Sequence, residues 1–321
     1  MEVAPLLLAS LLFLNGCPRG GDRLTPEVIL AVVSGDRPFT DSIIIVPSDG
    51  RPARTLLPHS WSRSYSGVTA LSLVRPMVVR VRELEKPDTV KETLFDYDPL
   101  TRALKPWCGD TVAASKGGMG TLSPNGEVYA FPEFPSERPG ITFVQCRLNR
   151  PTVTSKFQAA EMSGFQAWYV SPSWNPSGRD LAAVKVWRSG GIRGLRTEVQ
   201  LINVDTKRER TILGSVEGAV ATVFASDDKL IILTKRGIET LSIETGERVI
   251  VLPKSRLNER RYMSGGMAWL GQSDSVVVGL LAPTAVVGEL WSVAIHNGSV
   301  KLINEARGLR FMGICAAHAS E

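Results

Sequence analysis

Only three histidines, His59, His296 and His318, occur in the 321 residues. Their surroundings limit the chemistry open to the chain. His296 falls in a predicted turn and His318 in the tail, so solvent-exposed imidazoles are the expectation rather than a metal triad. No His-Glu-x-x-His pair, EF-hand loop or Walker A segment is present. Gly214-Ser215-Val216-Glu217-Gly218 puts its serine second of five, where a Gly-x-Ser-x-Gly elbow needs it third. Asp41, Asp96, Asp110 and Asp227 are the carboxylates that a divalent ion could recruit if the fold gathered them. The plain alternative for each is a turn cap or a solvated loop. No catalytic residue, resident metal or cofactor is therefore assigned, and the chain is read as a non-enzyme, with a metal-dependent hydrolase of lactonase or esterase type as the alternative.

Cations and aromatics in expected loops offer a second kind of chemistry, recognition. The candidates are Arg63, Arg188, Arg193, Arg196, Lys254, Arg256, Arg260 and Arg261, joined by Trp61 and Trp107 between strand-rich stretches. Lysine and arginine exceed aspartate and glutamate by 37 to 32, a net charge of +5 that favours anionic surfaces. No run of five like charges occurs and no basic stretch is interleaved with stacking aromatics, so nucleic acid is not an expected partner. The expectation is a basic patch meeting an acidic protein or peptide, or an anionic glycan of an envelope, against the alternative of scattered solubilising charge. Glu83, Glu85, Glu133 and Glu137 fall on other sectors.

The N-terminal residues indicate where such a patch would work. Ala4–Leu14 is an apolar run too short to cross a ~30 Å hydrocarbon core as a helix but of signal-peptide length. Leu14-Asn15-Gly16-Cys17 then resembles the lipobox of bacterial lipoproteins, which implies a signal over 1–16, lipidation at Cys17 and a tether over 17–25. A plain cleaved leader is the alternative, since Met1-Glu2-Val3 lacks the usual positive charge. Of the other cysteines, Cys108, Cys146 and Cys315 show no Cys-x-x-Cys spacing; three small buried residues are expected in preference to one disulfide with one free thiol.

The elements that must position these residues follow from composition and repetition. Hydrophobic residues at 43% support a sizeable core, and 29 glycines with 20 prolines favour many short strands joined by turns. The segments Ser123-Pro124-Asn125-Gly126, Asn175-Pro176-Ser177-Gly178, Ala225-Ser226-Asp227-Asp228 and Gly271-Gln272-Ser273-Asp274 recur at roughly 50-residue intervals, each ahead of a strand-like run. A second series interleaves with them: Ser48–Gly50, Asp98–Thr101, Leu148–Arg150, Asp205–Lys207, Glu244–Gly246 and His296–Gly298. Six such hairpins imply six units.

Pro172-Ser173-Trp174-Asn175-Pro176-Ser177-Gly178-Arg179-Asp180-Leu181-Ala182-Ala183-Val184 resembles the repeat of WD40-like, TolB-type propellers, P-x-W-S-P-D-G-x-x-L-A-F, and Leu122–Phe131 is similar. Asn125 and Ser177 stand where that repeat carries aspartate, and the turns near 225 and 271 have lost its Pro and Gly. The resemblance implies an all-β, six-bladed β-propeller over 26–321, with blades near 26–58, 66–107, 119–154, 167–214, 218–253 and 265–304. A C-terminal strand, 309–317, is expected to close the first blade. Together with the lipobox, the resemblance implies an exported, membrane-anchored monomer of the bacterial cell envelope that contacts an envelope protein, peptide or glycan. If the loops within blades join the middle two strands, they emerge on the same face as the loops between blades, carrying the candidate cations with them.

Overall fold

The computed structural model describes residues 27–34, 40–60, 62–70, 77–86, 89–109, 120–133, 136–147, 150–189, 195–214, 218–257, 260–282, 287–307 and 309–318. Blade one contains β1 (Glu27–Ser34), β2 (Ser42–Pro47) and β3 (Arg54–Leu57). Blade two is β4 (Arg63–Thr69), β5 (Met77–Lys86), β6 (Thr89–Asp98) and β7 (Ala103–Pro106). Blade three is β8 (Thr121–Leu122), β9 (Val128–Pro132), β10 (Gly140–Arg147) and β11 (Arg150–Gln158); blade four is β12 (Phe165–Trp174), β13 (Asp180–Ser189), β14 (Arg196–Asn203) and β15 (Glu209–Leu213). Blade five is β16 (Ala221–Phe224), β17 (Lys229–Thr234), β18 (Gly237–Ser242) and β19 (Arg248–Pro253); blade six is β20 (Arg261–Leu270), β21 (Ser275–Leu281), β22 (Val287–Ala294) and β23 (Val300–Arg307). The last strand, β24 (Arg310–His318), returns to pair antiparallel with β1 and completes blade one in the order β24-β1-β2-β3. The fold is the six-bladed β-propeller expected from the repeats, closed by its C-terminal strand.

Strand patterning explains why the blades stack as a ring. The second strand of a blade is covered on both faces by neighbouring blades, so it reads as an unbroken apolar run rather than an alternating one. In β1, Val28, Leu30 and Val32 enter the core shared with blade two, while Ile29, Ala31 and Val33 enter the core shared with blade six. In β17, Leu230 and Ile232 face blade four, and Ile231 and Leu233 face blade six. Six apolar clusters fill the six interfaces between blades.

The turns keep the period where the sequence loses it. Gly126 and Gly178 sit at φ 79° and 72° in the Pro-containing turns, a backbone region that glycine enters without penalty. At the degenerate turns a shared backbone bond persists. The carbonyls of Glu127, Arg179, Asp228 and Asp274 accept from the amides of Cys146, Val204, Ile243 and Ile295, at 2.8, 2.9, 2.8 and 2.9 Å. This bond ties the first hairpin turn of a blade to its second in blades three to six, and it requires no particular side chain.

Two expectations are corrected by the packing around the connection from blade two to blade three. Cys108 lies in the 3-10 turn Trp107–Gly109 and is disulfide-bonded to Cys146 of β10; Cys315 alone of the three is a free thiol. Trp107, expected as an exposed contact residue, is 3% exposed, and its ring centroid lies 6.0 Å from that of Tyr129. The reason is common to both: the start of the interblade connection lies over a core interface, so its aromatic fills that core and its cysteine comes within reach of the next blade.

Candidate functional site: the central channel and the loop face

The innermost strands, β24, β4, β8, β12, β16 and β20, surround a cavity of about 500 Å³. Its wall carries hydroxyls from Ser66, Thr69, Thr121, Ser171, Ser173 and Thr222 among small apolar side chains. Several of these hydroxyls hold the ring together. Thr69 Oγ1 accepts from the Leu122 amide at 3.4 Å, and Ser173 Oγ from the Phe224 amide at 3.2 Å. Ser171 Oγ accepts from the Thr222 amide at 3.2 Å, while Thr222 Oγ1 donates to the Ser171 carbonyl at 3.1 Å. Ser171 is in the left-handed region, φ 51°, beside an irregularity in the β12–β13 ladder, a costly geometry for a residue with a Cβ. Its hydrogen bonds with Thr222 of blade five help to hold it there. Cys315 also lines the cavity; burial, opposed by a hydrogen bond with the Ala70 backbone, pushes its thiol up to about 12, so it stays protonated.

One mouth of the channel is charged. β5 runs Met77-Val78-Val79-Arg80-Val81-Arg82, and its two arginines line the cavity. Arg80 is almost fully buried and pairs with Glu92 across the β5–β6 hairpin. Arg82 Nε donates to the same carboxylate at 2.7 Å, and its Nη1 lies 3.6 Å from Asp41 Oδ2. Two guanidinium groups thus meet two carboxylates, Arg80 and Glu92 shielded from solvent and Arg82 part-exposed. Sequence reading missed Arg80 and Glu92, although an arginine within a run of valines is a visible sign of a buried partner.

The connections sort onto two faces. Loops joining the second and third strands of a blade leave on the side where one blade passes to the next; the tight turns leave on the other. The charged mouth therefore opens among the longer connections. Of the cations expected there, Arg63 is in β4 rather than a loop and binds Glu83, with Nε at 3.0 Å from Oε1. Arg188 is exposed at the end of β13, and its Nη2 donates to Gln166 Oε1 at 3.0 Å. Arg196 opens β14 exposed. Lys254 and Arg256 are exposed on the 3-10 turn Lys254–Leu257. Arg260 Nε binds Glu289 at 2.5 Å, and its guanidinium lies 4.8 Å from the Trp291 ring centroid. Arg261 begins β20. Arg193, Trp61 and Cys17 lie outside the described residues.

Acidic groups on this face are partly engaged. Burial raises the Glu133 carboxyl, but hydrogen bonds from Lys156 and Thr142 and the Lys156 charge outweigh it and hold the pKa below its usual value. The four aspartates offered for an ion do not converge. Asp41 is at the channel mouth, Asp96 lies on β6 beside the Cys108 amide, Asp227 accepts from the Ser177 amide at 3.0 Å in a turn on the opposite face, and Asp110 is outside the described residues. Among the described residues no three His, Cys, Asp or Glu side chains are grouped to hold a metal ion.

No protein-family model and no curated protein matches the chain. Solved structures do. TolB from Acinetobacter baumannii matches with a TM-score of 0.62 at 13% identity, over 92% of this chain and 67% of that one. A putative TolB from Agrobacterium tumefaciens gives 0.57 at 10%, covering 90% and 92%. The periplasmic gluconolactonase PpgL of Pseudomonas aeruginosa gives 0.54 at 13%, covering 88% and 83%. At these identities the likeness is one of fold, and it agrees with the TolB-type repeat read from Pro172–Val184.

Proposed function

We propose that this chain is an exported, non-enzymatic binding propeller, anchored by lipid on Cys17, whose loop face meets an acidic protein or peptide, or an anionic glycan of the cell envelope. The observation that carries this reading is the asymmetry of the two faces. One consists of tight hydrogen-bonded turns. The other surrounds the channel mouth with most of the longer connections and exposes Arg188, Arg196, Lys254 and Arg256, none of which has an ion-pair partner among the described residues. Exposed cations on a rigid ring favour anionic partners through rate and orientation as well as affinity.

An envelope address draws support from three sides: the leader that ends in Gly16-Cys17, the similarity to TolB structures and a periplasmic gluconolactonase, and a disulfide, which persists in oxidising compartments. The hydrolase alternative needs convergent ligands, and the dispersal of Asp41, Asp96 and Asp227 speaks against it.

The test is crosslinking and pull-down from intact envelopes with the full-length protein, its Cys17→Ala variant and an Arg188→Glu/Arg196→Glu variant, read by fractionation and mass spectrometry. The wild type should be membrane-bound with a specific partner, the first variant should be released, and the second should stay anchored but lose the partner. A wild type found in the soluble fraction refutes the anchor. A partner retained by the charge-reversed variant refutes the loop face, and a stoichiometric divalent ion lost on Asp41→Asn moves the balance to the hydrolase.

A further inference from the structure

The six outermost strands are edges, each with a row of backbone N–H and C=O groups turned outward, and proteins protect such edges with charge or proline. Four of the outer strands follow that rule. The exposed residues are Arg54 and Thr55 in β3, Lys105 and Pro106 in β7, Thr152 and Lys156 in β11, and Arg210 and Thr211 in β15. The outer strands of blades five and six also expose apolar side chains, with Val249 at 52% and Ile250 at 43% on β19 and, beside the exposed charges of Lys301, Glu305 and Arg307, Val300 at 41% and Leu302 at 36% on β23.

Register places Val249, Val300 and Leu302 in one groove. Val249 stands opposite Thr240, two residues from Ile238 on the face of β18 that enters the core shared with blade six. Leu302 and Val300 stand opposite Trp291 and Val293, both in that same core, so they face blade five. The two rims touch: a Cβ on Gly298, in the turn before β23, would lie 2.3 Å from the Val251 carbonyl oxygen. The groove is therefore walled by Val249, Val300 and Leu302, with Val251 and Trp291 half-buried beneath. Its ends differ in charge. β19 is preceded by a turn exposing Glu244 and Glu247 and followed by the turn exposing Lys254 and Arg256, with Arg260 lying over Trp291.

We infer that this groove docks an extended segment of a partner protein by strand addition, a segment apolar at alternate residues, acidic at the end that meets Lys254 and Arg256, and basic at the other. Main-chain bonds to the β19 edge away from the Val251 carbonyl, which Gly298 covers, would supply affinity, apolar side chains in the groove would fix the register, and the two charged ends would fix the direction. The length suits such a strand, since the five steps from Val249 to Lys254 span ~16 Å of extended chain. This surface shares Lys254 and Arg256 with the loop face, but its apolar wall of Val249, Val300 and Leu302 does not rest on that reading.

The experiment uses the full chain and a fluorescein-labelled synthetic peptide, Asp-Glu-Val-Thr-Val-Thr-Val-Lys-Lys, titrated by fluorescence anisotropy at low and high salt. Two control peptides accompany it, one with serines replacing the charged ends and one with the middle valine replaced by proline. The protein variant Val249→Lys/Leu302→Lys changes exposed side chains only and leaves every loop-face cation in place; circular dichroism and Tm report whether it is folded. Expected are saturable binding, at least tenfold weakening in the folded variant and by the proline, and loss of salt dependence with the serine-ended peptide. Absent binding at millimolar peptide, or affinity unchanged in the folded variant or by the proline, overturns the inference. So does sedimentation showing that the wild type self-associates and the variant does not, because the occupant is then a second copy. Retention of the envelope partner by this variant separates a failure here from a failure of the loop face.

Discussion

Cutting the Cys108–Cys146 bond offers a quantitative test of how the ring is held. The bond closes a loop of sequence separation 38 between the connection out of blade two and the third strand of blade three. Chain-entropy reasoning gives a loop of that size ~4 kcal/mol of stabilisation through the unfolded state. A domain of nearly 300 residues melts with roughly 0.6 kcal/mol/K of entropy, so the loss corresponds to a fall in Tm of about 6 °C. The assay is thermal denaturation of the wild type and of Cys108→Ser/Cys146→Ser, each with and without dithiothreitol, beside a free-thiol titration. Reductant should lower the wild type to the level of the double variant, leave the variant unmoved, and raise the titratable thiols of the unfolded mature chain by two. A wild type whose Tm does not respond after the two thiols have been released refutes the loop-entropy argument. Two free thiols in the oxidised, lipidated wild type, beyond Cys315, would refute the pairing itself.

Further outcomes follow from buried groups. Burial pushes the Asp96 carboxyl to about 6, opposed by its hydrogen bond with the Cys108 amide, whereas an unfolded aspartate titrates near ~3.9. The folded state therefore binds more protons between those values, and stability falls as pH rises through that window. Asp96→Asn should remove this part of the slope in Tm measured from pH 4 to 8, most visibly as a gain relative to wild type above pH 6. Glu92→Gln removes the carboxylate from Arg80, whose side chain is only 3% exposed, and should cost about 3–5 kcal/mol in urea denaturation. Arg80→Met/Glu92→Leu should recover much of that loss. Phe311→Ala empties a fully buried site in the closing strand β24; a loss of about 3–5 kcal/mol is expected by the same measurement.

What was legible in the sequence is what a repeat writes repeatedly. Strand runs such as Lys229–Thr234 and turns such as Asn175–Gly178 are local, and their period of roughly 50 residues gave six blades because each blade needs the same alternation to bury two faces. Closure by Leu309–Ala317 was legible through arithmetic, since blade one lacked a strand and the chain had one left over. Features that depend on two blades meeting were not. Trp107 reads as a loop aromatic until blade three covers it, and Cys108 has no visible partner until β10 brings Cys146 to it. Arg63 looked like a free loop cation because the β4–β5 register that sets Glu83 opposite it is not a sequence-local property.

The division of labour inside the ring also bears on where recognition sits. Channel hydroxyls are the natural place to look for a ligand, yet Thr69, Ser171, Ser173 and Thr222 bond across blade boundaries. Blades that pack mainly through apolar side chains can slide, because hydrophobic contact has little directional preference. Directional bonds near the axis fix the rotation of one blade against the next. Recruiting those hydroxyls for a ligand would remove what fixes it, so a partner gains more from groups the ring does not use. Such groups lie on the periphery: the cations Arg188, Arg196, Lys254 and Arg256, and the apolar edge between blades five and six. A hydrogen-bonded centre beside a periphery of exposed cations and apolar side chains is the arrangement on which the proposed binding role rests.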